Sequence, residues 1–220
     1  ALNYVHLESS QDGGVRLRDE ATGQSFVVCP RVVVNATGGW VDKTNAALGL
    51  QTRYMGPTKG SHLVVDNPEL HRALDGRMVY YQYDDGRVCI VFPFLDKVIM
   101  GSTDIRVDDP DTVRCEEDEI EYMLTTLRSV FPGIKIPREN IVFTFCGVRP
   151  LPRTGTDVTA IVSRGHSVRL DEAGELRAFP VYSLIGGKWT TFRAFAEQVA
   201  DQILSRLEAR RRCGTEQMPI

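Results

Sequence analysis

Through most of its first hundred positions the chain is built of short apolar and alternating runs separated by turn residues, and a chain patterned in that way folds as sheet. Tyr4 to Leu7, Val15-Arg16-Leu17-Arg18 and Phe26 to Val28 read as successive strands, with Asp12-Gly13-Gly14 and Thr22-Gly23 as turns. Val32-Val33-Val34 is expected to close this meander as a short strand covered on both faces, since it lacks a polar alternation. From about Thr52 to Thr103 the pattern stays β: His62 to Val65, a hairpin of Met78 to Tyr83 with Val88 to Phe92, and Val98 to Met100.

Helical spacing appears later. Acidic residues fill the first turn of a predicted helix over Glu116 to Val130, whose apolar stripe is Ile120, Met123, Leu124, Leu127 and Val130. Strands are predicted at Ile141 to Phe145 and Ala160 to Ser163, and a hairpin at Val168 to Leu170 with Arg177 to Phe179. A last helix opens after Gly186-Gly187 and sets Phe192, Phe195, Val199, Ile203 and Leu207 on one face. Its tail, Arg210-Arg211-Arg212, reads as a solvated end favoured by the helix dipole, or else as a binding patch.

The 220 residues are 42% hydrophobic and 25% charged, enough to bury a core. A net charge of -3 and a pI near 5.9 give no broad positive field, so a small metabolite is a better expected partner than nucleic acid. The odd, scattered cysteines (Cys29, Cys89, Cys115, Cys146, Cys213) form no Cys-x-x-Cys pair, which predicts a reducing cytoplasmic compartment and no metal site. No apolar run approaches the roughly 20 residues that span a bilayer. Beginning at Ala1 and entering a strand almost at once, the chain reads as the interior of a longer polypeptide.

Four local motifs carry chemistry. Ala36-Thr37-Gly38-Gly39-Trp40 follows a buried strand and leaves backbone exposed at the edge where open α/β sheets bind ligands, or is only a turn. Gly186-Gly187-Lys188-Trp189-Thr190-Thr191 opens a helix with free amides and a cation, an arrangement suited to an anionic ligand, unless the threonines serve local bonding alone. Arg149 in Gly147-Val148-Arg149-Pro150, Arg164 after its strand, and Lys188 make a plausible phosphate clamp if they converge, and surface ion pairs if they do not. Lys59-Gly60-Ser61-His62 offers His62 as a proton acceptor or a structural histidine. Although Gly56-Pro57-Thr58-Lys59-Gly60-Ser61 resembles a phosphate loop, its residue order is wrong and a strand follows, which excludes a nucleoside triphosphate site.

In this order the motifs resemble FAD-dependent glycerol-3-phosphate dehydrogenase, of the D-amino-acid-oxidase-like flavoprotein group. The resembling stretches are Val34 to Val41, Lys59 to His62, Ile99-Met100-Gly101-Ser102-Thr103-Asp104, Gly147 to Leu151 and Gly186 to Arg193. The resemblance implies an α/β (α+β) fold: a partial FAD-binding domain over 1-50 and 151-220, with an inserted antiparallel β-sheet substrate domain over 51-150. It implies Ala36, Thr37, Gly38, Gly186, Gly187, Thr190 and Thr191 beside FAD. Arg149, Arg164 and Lys188 fall beside substrate, with His62 and Arg149 as catalytic residues and His62 as the base. The implied reaction oxidises sn-glycerol-3-phosphate to dihydroxyacetone phosphate, with hydride passing to FAD and electrons to a quinone. Quinone-reducing relatives add peripheral contact at the inner face of the membrane.

Three features depart from the family. The Gly-x-Gly-x-x-Gly turn that holds the FAD pyrophosphate is absent from the chain, as is the family's C-terminal helical domain, and Gly39 stands where proline is more usual. The chain alone is therefore expected to bind FAD weakly or not at all and to be inactive. An amino-acid or amine oxidase of the same group, holding a carboxylate on Arg149, and a catalytically silent binding module are the alternatives.

Overall fold

A computed structural model describes residues 1–218 apart from Asp12, Ser102, 156–164, Leu176 and Gly187. In chain order its elements are β1 (Val5–Gln11), β2 (Gly14–Asp19), β3 (Ser25–Val28), β4 (Val33–Asn35), α1 (Val41–Ala47), β5 (Thr58–Val65), α2 (Pro68–Leu74), β6 (Val79–Gln82) and β7 (Val88–Phe94). There follow β8 (Lys97–Gly101), β9 (Ile105–Arg106), α3 (Glu117–Val130), β10 (Ile141–Arg149), β11 (Ser167–Asp171), β12 (Val181–Ile185) and α4 (Phe192–Arg206). The fold is mixed α/β, as the resemblance implies. Its residues divide into two compact units: Ala1–Met55, Pro150–Thr154 and the described residues from Gly165 onward form one, and Gly56–Arg149 with Gly155 the other.

In the first unit β1, β2 and β3 form the expected antiparallel meander. Alternation sends Val15 and Leu17 toward Leu48, Phe179 and Val181, while Arg16 faces outward and pairs with Glu8 at 3.0 Å. Contrary to expectation, β4 does not close this meander. It pairs in parallel with β12, which also pairs with β11 in antiparallel fashion. Pro30, which has no N–H to offer a ladder, lies between β3 and β4 and lets the chain leave the meander. Nor is β4 covered on both faces, because Val34 is 44% exposed.

The partner of β11 is Val181–Ile185 and not Arg177 to Phe179. Those three residues turn inward instead: Phe179 is fully buried, and the buried Arg177 guanidinium donates to the carbonyl of Phe179 at 3.0 Å. On α4, Phe195 and Val199 are buried as expected, whereas Phe192 is exposed. The predicted strand at 160–163 lies outside the described residues.

The second unit is an antiparallel sheet of order β10-β5-β8-β7-β6, with β9 also paired to β5. One face packs Leu63, Val65, Val91, Val98 and Met100 against Ile120, Met123, Leu124 and Leu127 of α3. A capping box on Glu116 starts α3, with the Glu119 carboxylate accepting from the Glu116 N–H at 2.9 Å. The sequence reading missed α2 inside its β-rich stretch, although the start signal was present: Asn67 caps Leu70 N–H at 3.0 Å and Pro68 takes the first turn.

Candidate functional site

In the first unit the parallel register Ser183↔Asn35 brings the carboxyl ends of β4 and β12 side by side. Ala36-Thr37-Gly38 and Gly186 therefore leave the sheet at one edge, the place where open α/β sheets present backbone to ligands. Gly38 and Gly186 have φ of 64° and 74°, a region glycine enters without strain. A Cβ on Gly186 would also sit 2.5 Å from the Gly165 carbonyl oxygen, so no larger residue fits. Lys188, Trp189 and Thr190 are exposed next to this edge, and Thr191 Oγ1 accepts from the Lys188 N–H at 3.3 Å. Gly187 and Arg164 lie outside the described residues.

A buried polar network beneath the turn went unread in the sequence. Asn35, 1% exposed, donates to the Val41 carbonyl at 2.9 Å and to Asn45 Oδ1 at 2.7 Å, and its own oxygen accepts from Thr37 Oγ1 at 2.7 Å. Asn45 in turn donates to Ser183 Oγ at 3.0 Å, tying α1 to β12. The turn after β4 is thus held by satisfied side-chain bonds rather than by the strand alone. Asparagine at the end of an apolar run, two residues before a Thr, was the available signal.

In the second unit the strand alternation of β5 splits the Lys59-Gly60-Ser61-His62 motif between two faces. Lys59 and Ser61 share the α3 face with Leu63 and Val65, where both reach Glu119: Lys59 Nζ at 2.7 Å and Ser61 Oγ at 2.8 Å. Thr103 Oγ1 adds a third donor at 2.6 Å. Burial raises the Glu119 pKa, but donation from Lys59, Thr103, the Glu116 N–H and Ser61 outweighs it and holds the carboxyl below its ordinary value.

Gly60 and His62 occupy the opposite face. There His62 stacks on Phe145 with centroids 4.8 Å apart, and its ring packs where Gly101 leaves room. Its Nδ1 is buried and has no hydrogen-bond partner. Burial, and then the positive charge of Arg149, push the imidazole pKa below its usual value, so the ring is neutral at neutral pH and able to accept a proton. Arg149 pairs with Asp104 at 3.1 Å and lies across Gly60. The structure therefore brings His62 and Arg149 to one sheet face in the same unit, while Lys188 belongs to the other unit.

A Cβ added at Gly60 would fall 2.1 Å from Arg149 NH2. We expect Gly60→Ala to displace this guanidinium and weaken binding of an anionic ligand by about tenfold, one charge-assisted hydrogen bond, with little change in stability. A thermal melt paired with a binding titration checks it: a collapsed midpoint with intact binding contradicts the expectation.

The family described as FAD dependent oxidoreductase matches residues 3–202. Over 223 residues the chain is 32% identical to the glycerol-3-phosphate dehydrogenase of Synechocystis sp., covering 94% of this chain and 40% of that protein. To the aerobic glycerol-3-phosphate dehydrogenase of Escherichia coli it is 34% identical over 194 residues, covering 86% and 37%. Among solved structures, the glycerol-3-phosphate dehydrogenase from Bacillus halodurans complexed with FAD matches with a TM-score of 0.78 and 27% identity, over 98% of this chain and 41% of that one. The chain thus spans about two fifths of the length of these relatives.

Proposed function

The chain belongs to the FAD dependent oxidoreductase family, and on that premise we propose that it is the flavin-facing and substrate-facing part of an enzyme oxidising sn-glycerol-3-phosphate to dihydroxyacetone phosphate. A quinone is the proposed electron acceptor. The observation that carries this proposal is the placement of His62 and Arg149 on one face of the β5–β10 ladder. A secondary alcohol needs a proton acceptor, and a phosphate tail needs a planar cationic fork nearby.

The edge formed by Ala36, Thr37, Gly38 and Gly186 fits the flavin end of FAD: small side chains and left-handed glycines leave backbone open to a flat ring. Gly187, Thr190 and Thr191 complete the proposed contacts. Bound there, FAD supplies the hydride acceptor. The chain's own residues do the rest: His62 takes the hydroxyl proton, and Arg149 with Lys188 and Arg164 orients the phosphate and steadies alkoxide charge. In this proposal residues 1-50 and 151-220 serve the cofactor and 51-150 the substrate.

No Gly-x-Gly-x-x-Gly occurs among the 220 residues. The chain purified alone is therefore expected to carry no stoichiometric flavin, and a flavin absorbance band at one equivalent would refute this. The function itself is tested in a longer polypeptide that also holds that turn. Anaerobic sn-glycerol-3-phosphate should bleach its flavin band; bleaching by glycine and not by the phosphate ester would favour an amino-acid oxidase. The proposal extends to a cytoplasmic protein resting on the inner membrane face. Among the described residues no helix is long and apolar enough to cross a membrane.

A further inference from the structure

We propose that Arg106 and Thr58 join Arg149 in an anion subsite on the sheet face turned away from α3, and that this subsite takes the phosphate group of a small polyol phosphate. This deepens the function proposed above and rests on it for the identity of the polyol. Thr58 stands opposite Arg106 in the β5–β9 ladder and opposite Arg149 in the β5–β10 ladder. Residues directly opposed in antiparallel pairs project from the same face, so the three side chains make one row across three strands. Neighbouring strands lie about 4.8 Å apart, which sets the two arginines about 10 Å apart at their backbones, with the threonine between them. Two long guanidinium side chains rooted at that spacing converge readily on one tetrahedral anion.

Thr58 supplies an independent sign of a missing partner. It is 0% exposed, and its hydroxyl has no hydrogen-bond partner. Buried hydroxyls are nearly always satisfied in folded proteins, because leaving one unpaired is unfavourable. A phosphate oxygen is the acceptor that chemistry would place between two arginines. Thr58 itself is about 13 Å along β5 from His62. Arg149 lies across Gly60, and Gly60 is about 7 Å along β5 from His62. The Arg149 head over Gly60 thus stands between the row and the histidine. A carboxylate needs one fork, whereas two forks and a hydroxyl match a group with three free oxygens.

The test is titration of the 220-residue chain with sn-glycerol-3-phosphate, inorganic phosphate and glycerol, followed by amide NMR shifts. Both phosphates should bind and glycerol should not. Arg106→Gln should weaken binding about tenfold, the loss of one charge-assisted hydrogen bond. Thr58→Val should weaken it too, yet leave the thermal midpoint unchanged or higher, since it removes an unsatisfied hydroxyl. A lowered midpoint with unchanged binding would make Thr58 merely structural and overturn the subsite. Absence of phosphate binding by the parent chain would also overturn it. If Arg149→Gln weakens binding and Arg106→Gln does not, the subsite falls while the polyol phosphate substrate stands. If Arg106-dependent binding is seen but the longer, flavin-loaded polypeptide fails to oxidise glycerol-3-phosphate, the subsite stands and the function falls.

Discussion

Lys59→Met should lower the unfolding free energy of the chain by about 3–5 kcal/mol, the usual consequence of removing one partner from a buried ion pair. The side chains of Lys59 and Glu119 are only 9% and 2% exposed at 2.7 Å separation, so solvent cannot take over the lost charge. Ser61 and Thr103 would still donate to Glu119, but neutral donors do not offset a buried carboxylate. The Arg114 carbonyl, which accepts from Lys59 Nζ at 2.9 Å, would lose its donor as well. Against a typical total of about 5–15 kcal/mol, such a loss brings the chain near its folding threshold. Replacing both partners with apolar residues, Lys59→Met with Glu119→Leu, should restore most of it.

The pH dependence fixes the sign. With its folded pKa below the ordinary value of 4.5, Glu119 contributes stability that is present above that pH and is lost as the pH falls through the folded value. Lys59→Met removes the leading hydrogen-bond cause of the depression, so the gap between variant and parent should narrow in acid. Urea unfolding at neutral and acidic pH measures both effects. A gap below about 1 kcal/mol at neutral pH would mean that the pair is far more hydrated than its burial implies.

His62→Gln, made in the flavin-loaded longer polypeptide, should lower kcat by about 10²–10⁴, the range lost with a general base. Because burial and Arg149 depress the imidazole pKa below 6.5, the acid limb of kcat/KM should lie below that pH in the parent and vanish in the variant. The same shift has a stability consequence of fixed sign. Between the folded pKa and 6.5 the unfolded chain binds more protons at this histidine, so its contribution to stability falls as the pH is lowered through that window. An unchanged rate and an unchanged acid limb in a well-folded His62→Gln would assign the ring a packing role on Gly101 and Phe145.

Among the elements, those with local causes were legible. The meander strands follow from alternation and glycine turns, β6 to β8 from short apolar runs bounded by turn residues, and α3 from its acidic first turn and apolar stripe, because these signals act between residues a few positions apart. The parity of β5 was legible in principle, since Leu63 and Val65 mark the buried side and so send Lys59 and Ser61 inward and Gly60 and His62 outward. What Lys59 meets was not. Its acceptor lies on another element, with Ser61 and Glu119 separated by 58 positions.

By itself, then, the sequence determined most of the strands, the helices α3 and α4, and the order of motifs that marks the flavin-oxidoreductase family. Only the tertiary structure decided that β4 leaves the meander for a parallel partner, and that Asn45 reaches Ser183 across 138 residues. It alone set His62, Arg149 and Thr58 on one face. The physical reason is that propensity and periodicity act through neighbouring backbone, whereas strand partner and register follow from how all the apolar faces are buried together.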